Sequence, residues 1–342
     1  MNLALYSDAR HPPPLIGAGL EKAEVLGGAL IGPLMPIPVP EAWPMQRVDA
    51  PLLGSTRELV RELWQTDNHS QSGCFEGIAY RRTTELLFGL IELDEAGFTS
   101  SERGCPLRNA TETAYRRLFQ LLDDQGLPHL WRVWNYLADI NQETNGLERY
   151  RQFNIGRHEA FIATHRTATG NVPAACAIGL RRGPLSIAFL AGRTPARAVE
   201  NPRQISAYNY PSEYGPRSPT FSRAVLVSLA GQECLFISGT ASILGHRTVH
   251  LGDIRGQCHE ALSNVEAVMA EANRLSRASR FLASTLSYRV YIRRAEDFPL
   301  VQQVLARRIG AEAEILYVQA DICRRDLLVE IEAMASIVGG SC

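Results

Sequence analysis

The chain has 342 residues, of which 45% are hydrophobic, and this is enough for one or two large cores without disulfides or metal staples. Its 35 basic and 36 acidic side chains leave a net charge of −1, so no global field attracts nucleic acid or an anionic membrane. We therefore expect neither kind of partner. The basic residues are overwhelmingly arginine, whose planar guanidinium suits carboxylates, so the composition is compatible with a small anionic ligand.

The seven cysteines are scattered and form no C-x-x-C pair, so neither a disulfide framework nor a zinc ribbon is indicated. This usage favours a reducing cytoplasm. Residues 1–8 lack a basic region typical of a signal peptide, and prolines interrupt the apolar stretch 25–40. We therefore expect a cytoplasmic protein with no exported form and no membrane span.

Segments rich in β-branched and aromatic residues recur along the chain and predict strands. In chain order, these segments are 86–93, 130–140, 174–180, 186–190, 224–229, 234–239, 288–293, 315–320 and 328–334. Apolar residues spaced three and four apart predict amphipathic helices over 112–122 and 259–272.

The order strand, helix, strand, helix, strand, strand occurs twice, which indicates an internal duplication. The similar segments 181–187 and 324–330 lie 143 residues apart. A polar, proline-rich stretch at 201–219 can be neither a central strand nor a helix, so it marks the boundary. We predict an N-terminal half at 1–205, which begins with a Gly-rich and Pro-rich lead, and a C-terminal half at 206–342.

Three local patterns leave alternatives open. Glu330 and Glu332 point to the same face of a strand, where both could be solvated, or one could lie in a cleft with a raised pKa and donate a proton. His246 and His250 have metal-ligand spacing on a helix, but their context favours a loop and a structural or surface pair. The small residues around Gly239 suggest close approach of the backbone to a ligand.

Several motifs, taken together, carry a family resemblance. They are the segments 134–136, 146–157, 206–210, 214–224, 235–242, 257–268, 291–293 and 329–335. The last five, within 213–337, resemble the RidA/YjgF domain in order and over nearly its whole length. The complete set resembles the chorismatases, which fuse a degenerate RidA-like half to a second RidA-like half, and in particular their 3-hydroxybenzoate-forming branch.

The resemblance implies an α+β fold of two RidA/YjgF-like (chorismate mutase-like) units. Each would be a mixed β-sheet covered by two helices, and the two would be joined in a barrel-like arrangement. It also implies a lyase that converts chorismate to 3-hydroxybenzoate, or to a mixture with 4-hydroxybenzoate, plus pyruvate. The implied chemistry needs neither a metal nor a cofactor. The chain would act as a monomer or a homotrimer, since RidA domains are trimers and a fused pair could satisfy such an interface within one chain.

The resemblance also assigns roles to particular residues. Glu330 would be the general acid, and Cys323, seven residues earlier, would mark the 3-hydroxybenzoate branch. From the residue alone, Cys323 would be a small buried hydrophobe. Further substrate contacts implied by the family are Tyr150, Arg157, Tyr208, Arg217, Gly239, Thr240, Ala241 and Arg293.

Three other functions remain open at this point. A hydrolytic chorismatase would release 3,4-dihydroxycyclohexadiene carboxylate and pyruvate from the same site. A RidA-like imine or enamine deaminase normally carries an arginine on the strand before the final glutamates, and residues 315–321 contain none. A small-ligand sensor on the same fold would bind chorismate without consuming it, because a fold does not fix a function.

Overall fold

The computed structural model describes residues 2–8, 24–33, 42–99, 105–277 and 280–338. Within this part, the N-terminal lead forms a four-stranded sheet in the order β1-β4-β2-β3. Its strands are β1 (Leu3–Ser7), β2 (Glu24–Gly32), β3 (Met45–Asp49) and β4 (Val60–Thr66). Glycines in β2 permit close packing, because a Cβ on Gly28 would overlap the backbone carbonyl of Glu62.

A second sheet has seven strands in the order β20-β11-β8-β12-β7-β6-β5 and carries two helices. Its N-terminal elements are β5 (Gln71–Phe75), β6 (Ile78–Arg82), β7 (Leu86–Leu93), α1 (Pro106–Asp124) and β8 (His129–Ala138). The hairpin of β9 (Glu143–Thr144) and β10 (Leu147–Glu148) leads into α2 (Arg149–Ala163), followed by β11 (Ala174–Leu180) and β12 (Leu185–Gly192).

A third sheet has six strands in the order β13-β14-β15-β21-β18-β19. Its first elements are β13 (Arg197–Val199), β14 (Ala224–Leu229) and β15 (Gln232–Ala241), then the hairpin of β16 (Ile243–Leu244) and β17 (Arg247–Thr248), then α3 (Ile254–Leu275). They are followed by β18 (Ser287–Ile292), α4 (Phe298–Ile309), β19 (Glu314–Gln319), β20 (Asp321–Ile322) and β21 (Val329–Val338). The short strand β20 pairs with β11, so it joins the second sheet.

The two large sheets share one pairing pattern. In the second sheet β8 is parallel to β11 and antiparallel to β12, which pairs with β7. In the third sheet β18 is parallel to β19 and antiparallel to β21, which pairs with β15. The registers correspond, since Tyr136 lies opposite Ser186 and Tyr291 lies opposite Glu330. The hydroxyls of Tyr136 and Tyr291 meet at 2.7 Å between the sheets.

The core between the sheets is aromatic, and helices pack on the opposite faces. Trp134, Tyr136, Phe236 and Tyr291 lie in one buried cluster, and Trp64 of the lead sheet covers it with its ring 5.6 Å from that of Trp134. Separate clusters bury α1 and α2 against the second sheet and α3 and α4 against the third. The predicted barrel-like arrangement is corrected in one respect: the described strands form no closed barrel, because each large sheet ends in edge strands.

The predicted elements agree with the structure except near their ends. The predicted helices 112–122 and 259–272 lie within α1 and α3, and all nine predicted strands overlap observed ones. Residues 201–219 form two short 3₁₀ turns and irregular backbone, as expected for this stretch. In the part of the chain that the structure describes, no helix is long and apolar enough to cross a membrane.

Candidate active site

A cleft of about 470 Å³ opens beside the middle of the third sheet. Residues from β15 and β21 lie at its floor, and its walls come from α2, the 210–223 segment and the loop before β21. Both halves of the chain therefore contribute to it. The lining residues used below are Tyr150, Tyr210, Tyr214, Arg223, Gly239, Ala241, Cys323, Arg324 and Glu330.

Glu330 lies in the floor of the cleft with 3% of its surface exposed. Its strand, β21, runs between β15 and β18, and the register places Glu330 between Ala241 and Tyr291. The carboxyl occupies the space above Gly239, where a Cβ would overlap Glu330 Oε1. The register of β15 and β21 is irregular at this point, between Ile237 and Thr240. Gly239 is therefore required for the position of the carboxyl group.

Burial raises the pKa of Glu330 to about 8, and the nearby carboxylate of Glu332 adds to this effect. Arg132, Cys323 and Arg293 act in the opposite direction but more weakly. Among the described residues, no cationic side chain forms an ion pair with Glu330. The carboxyl group is therefore protonated at neutral pH and can serve as an acid.

Glu332, two residues further along β21, has a different environment although it is also buried. It pairs with Arg132, and Arg289 Nη1 lies 3.2 Å from its Oε1. The hydroxyl of Tyr291 donates to the same oxygen at 3.1 Å. The two glutamates thus differ in their environments: Glu332 is held in ion pairs, and Glu330 is unpaired and keeps its proton.

Cys323 contacts the Glu330 carboxyl, with Sγ 3.9 Å from Oε2. Burial and the adjacent Glu330 raise the pKa of the Cys323 thiol. It therefore stays a neutral thiol, a weak hydrogen-bond donor, and not a nucleophilic thiolate. Its place in the loop follows from β20, which ends one residue earlier and pairs with β11.

One wall of the cleft consists of arginines stacked on tyrosines. The guanidinium of Arg324 lies 4.1 Å from the centre of the Tyr214 ring and 5.2 Å from that of Tyr210. Arg223 donates to the Tyr210 hydroxyl at 2.8 Å and lies over the Tyr210 and Phe221 rings. Two guanidinium groups in one wall give that wall a positive charge, which suits an anionic ligand.

Three of the substrate contacts implied by the family line this cleft, namely Tyr150, Gly239 and Ala241. Burial raises the pKa of Tyr150, so its hydroxyl remains a neutral donor. Thr240 does not line the cleft, because alternation along β15 places it on the other face, where its hydroxyl donates to the Ser238 carbonyl.

Arg293 is engaged with the loop that carries Cys323. Its guanidinium donates to Asp321 Oδ1 at 2.5 Å, to the Leu327 carbonyl at 2.8 Å and to the Arg324 carbonyl at 2.9 Å. These bonds fix the loop between β20 and β21. Arg293 therefore holds the loop that carries Cys323 and does not itself line the cleft.

The remaining three implied contacts lie away from the lining. Arg157 is buried in α2, donates to Asn154 Oδ1 at 2.9 Å and stacks on Phe153. Tyr208 packs against the cluster beneath α1 and α2, and Arg217 is exposed.

The site residues expected from the sequence do not include the four that form this wall, called the cationic wall below. They are Arg223, Arg324, Tyr210 and Tyr214. Their stacking joins residues far apart in the chain, so no local spacing identifies them. The high aromatic content of the 201–219 stretch was the available signal. His246 lies in the turn of the β16–β17 hairpin, as expected of a loop residue, with Nδ1 3.2 Å from the Tyr214 hydroxyl.

Comparisons with known proteins place this site in a family. Residues 62–191 match the family model described as chorismatase FkbO/Hyg5-like, N-terminal. A 3-hydroxybenzoate synthase from Streptomyces hygroscopicus is 38% identical over 294 residues, which cover 83% of this chain and 83% of that protein. A chorismatase from the same organism is 39% identical over 284 residues, with 82% of this chain and 80% of that protein covered.

A crystal structure of a chorismatase superposes with a TM-score of 0.84 and 35% sequence identity, covering 98% of both chains. With this structural match and relatives of nearly 40% identity over most of their length, the chain belongs to the chorismatase family. The family membership expected from the motifs is confirmed.

The burial of Glu330 has a consequence for stability. Its pKa is about 8 in the folded chain and about 4.3 in an unfolded one, so the unfolded carboxyl ionises first. Folding stability should therefore fall as the pH rises from about 4.3 to 8. Glu330→Gln removes this loss, and we expect the variant to gain on the order of 5 kcal/mol over the parent protein by pH 8.5.

Thermal unfolding followed between pH 5 and pH 8.5 checks this expectation. The advantage of Glu330→Gln over the parent should grow with pH across this range. Glu296→Gln, at an exposed position, is the control and should show no such trend. A melting-temperature difference that is independent of pH would show that Glu330 is ionised in the folded protein.

Proposed function

We propose that this chain converts chorismate to 3-hydroxybenzoate and pyruvate, with Glu330 as the general acid. The observation that carries the proposal is a buried, protonated carboxyl group in a cleft whose wall carries the guanidinium groups of Arg223 and Arg324. The relatives named 3-hydroxybenzoate synthase and chorismatase support this substrate and product.

Chorismate is a dianion with a carboxylate on its ring and another on its enolpyruvyl side chain. The cationic wall offers two guanidinium groups for these carboxylates, those of Arg324 and Arg223. Both guanidinium groups are stacked on tyrosine rings, which restrict their direction. We infer that Arg324 and Arg223 fix the carboxylates and so place the enol ether over the floor of the cleft.

The first chemical step is transfer of the Glu330 proton to the methylene carbon of the enolpyruvyl group. This carbon is a weak base, so the acid must be protonated and well positioned before the substrate reacts. The product of the transfer is an oxocarbenium ion. The Glu330 carboxylate then lies beside that cation and stabilises it electrostatically in a site with little water.

The next step decides the product. The neighbouring ring hydroxyl attacks the ring carbon that carries the ether, which forms an epoxide, breaks the bond from that carbon to the ether oxygen and releases pyruvate. Opening of the epoxide with loss of a ring proton gives the aromatic hydroxybenzoate, and the proton of the hydroxyl restores the acid. The atoms of chorismate equal those of the two products, so this route consumes neither water nor an oxidant. We infer that Cys323, a small neutral thiol against Glu330, shapes this part of the cleft and favours the internal route.

We also propose that residues 1–205 and 206–342 form two RidA-like units, each with a mixed sheet and two helices, that share one site. The identical pairing pattern of the two large sheets supports this division. Both units contribute residues to the described lining of the cleft. This arrangement is compatible with a monomer, and a homotrimer of the same chain would contain three such clefts.

Two alternative functions have distinct products. A hydrolytic chorismatase would release 3,4-dihydroxycyclohexadiene carboxylate with the pyruvate, while a sensor would release no pyruvate. Incubation of the purified protein with chorismate tests the proposal, with chromatography of the aromatic products and an enzymatic assay of pyruvate. The expected result is equal molar amounts of hydroxybenzoate and pyruvate.

Glu330→Gln should abolish pyruvate release, because glutamine preserves the shape of the side chain and supplies no acidic proton. We expect a loss larger than about 10⁴-fold, the upper end for general acid catalysis. Chorismate binding, measured by calorimetry, should remain. Glu296→Gln is the matched control and should keep full activity. Near-native turnover by the Glu330 variant would show that another group donates the proton.

Arg324→Gln should raise the KM for chorismate by about 10- to 100-fold, as expected for the loss of a charge-assisted hydrogen bond worth about 1.5–3 kcal/mol. Steady-state kinetics provide the measurement. Arg294→Gln is the control, because Arg294 pairs with Asp297 and does not line the cleft. An unchanged KM in a folded Arg324 variant would exclude Arg324 as a carboxylate ligand.

Cys323→Ala should shift the products from 3-hydroxybenzoate towards another hydroxybenzoate or the dihydrodiol, while total pyruvate release falls much less. A change of about 1.4 kcal/mol between two competing barriers alters their rate ratio tenfold. Cys258→Ala, in the core beneath α3, is the control and should reduce stability without altering the product ratio. If Cys323→Ala gave the same ratio of products as the parent protein, Cys323 would have no role in selecting the product.

A further inference from the structure

A second glutamate, Glu332, lies on the same face of β21 as Glu330, and its surroundings suggest a use for it. Glu330 and Glu332 are two residues apart along the strand, a spacing of about 7 Å. Glu332 lies in a buried network with Arg132 and Arg289, and Arg289 also pairs with Glu62 of the lead sheet. Buried ion pairs add little to stability compared with a well-packed apolar core, so this network calls for another explanation.

We propose that Glu332 is a positioning residue for catalysis, whose paired carboxylate keeps the neighbouring Glu330 carboxyl in its protonated, proton-donating form. The inference rests on the proposed role of Glu330 as the acid. In this arrangement Arg132 has the opposite effect, and it limits the influence of Glu332 to the amount that still allows Glu330 to give up its proton.

The other titratable groups around Glu330 contribute no comparable charge. Tyr291 on β18, Cys176 on β11, Cys323 in the loop and Tyr150 on α2 all have a pKa raised by burial and are neutral. These four elements therefore place dipoles, and not charges, against the carboxyl group.

The cations near Glu330 are engaged with other groups. Arg293 is paired with Asp321, and Arg324 and Arg223 are stacked on the tyrosines of the cleft wall. Arg132 remains, and it is bonded to Glu332 itself and to the carbonyl of Ile237. The Glu332 carboxylate raises the pKa of Glu330 by more than the Arg132 guanidinium lowers it.

Substitution of the two charges should therefore move the titration of Glu330 in opposite directions. Glu332→Gln removes the negative charge that disfavours the Glu330 carboxylate. The titration of Glu330 should therefore move to lower pH by about one unit, which is a tenfold change in its acid dissociation constant. In Arg132→Gln it should move to higher pH. The alkaline limb of the rate profile, where the protonated acid is lost, should shift in the same two directions.

The test is a ¹³C NMR titration of glutamate-labelled, ligand-free protein, in which the Glu330 signal is assigned by its absence from Glu330→Gln. Glu62→Gln is the matched control, because Glu62 joins the network through Arg289, which pairs with Glu332 and not with Glu330. The control should leave the Glu330 titration in place. Opposite shifts in the two test variants support the proposal.

A single substitution in a buried network can prevent folding, so a charge-balanced variant is included. The double substitution Arg132→Gln with Glu332→Gln removes a neutral pair and avoids an unpaired buried charge. Because the effect of Glu332 outweighs that of Arg132, the titration should still move to lower pH, though by less than in Glu332→Gln. An unmoved Glu330 titration in this double variant, or in a folded Glu332→Gln protein, overturns the proposal.

The NMR titration and the activity assay fail independently. If the parent protein does not release pyruvate from chorismate, the proposed function is wrong, and the NMR titration still decides the electrostatic role of Glu332. If pyruvate is released and the alkaline limb stays fixed while variants lose activity uniformly at every pH, Glu332 is structural and the inference is wrong.

Discussion

The cost of burying the Glu330 carboxyl determines how the surrounding elements are built. An ionised carboxylate in an apolar environment is expensive, so the group keeps its proton unless a cation pairs with it. The arginines nearby interact with other groups and not with Glu330. Arg132 and Arg289 pair with Glu332, and Arg293 donates hydrogen bonds to the loop before β21. Gly239 supplies the space for the neutral group. The Glu330 carboxyl therefore keeps its proton at neutral pH.

Nine strands of the two large sheets were predictable because their β-branched and aromatic composition is strong and local. The strands β5, β6, β13 and β20 of these sheets were not predicted. Helix α2 was not predicted either, since its buried face includes the polar residues Gln152, Asn154 and Arg157, which removes the apolar periodicity. The lead sheet was also missed. Its strand β2 is rich in glycine because β4 approaches closely, and in sequence this glycine content resembles a turn-rich lead.

The site was predictable in part. Family motifs pointed to Glu330 and Cys323, and the structure brings both into one cleft with Tyr150. Periodicity could not separate Glu330 from Glu332, because both lie on the same strand face. What separates them are Arg132 and Arg289, which come from other strands. The cationic wall of Arg223 and Arg324 likewise depends on tertiary contacts with tyrosines, which no spacing in the sequence encodes.

The matching registers of the two sheets place Ser186 where the second half has Glu330, each opposite a tyrosine. Ser186 is bonded to Glu92 and to Gln46 of β3, so the lead sheet fills the position that would correspond to the cleft. The two sheets therefore share a backbone pattern without sharing a second cleft at the equivalent position. The first half instead contributes Tyr150 of α2 to the cleft beside Glu330, so one opening is lined by both halves.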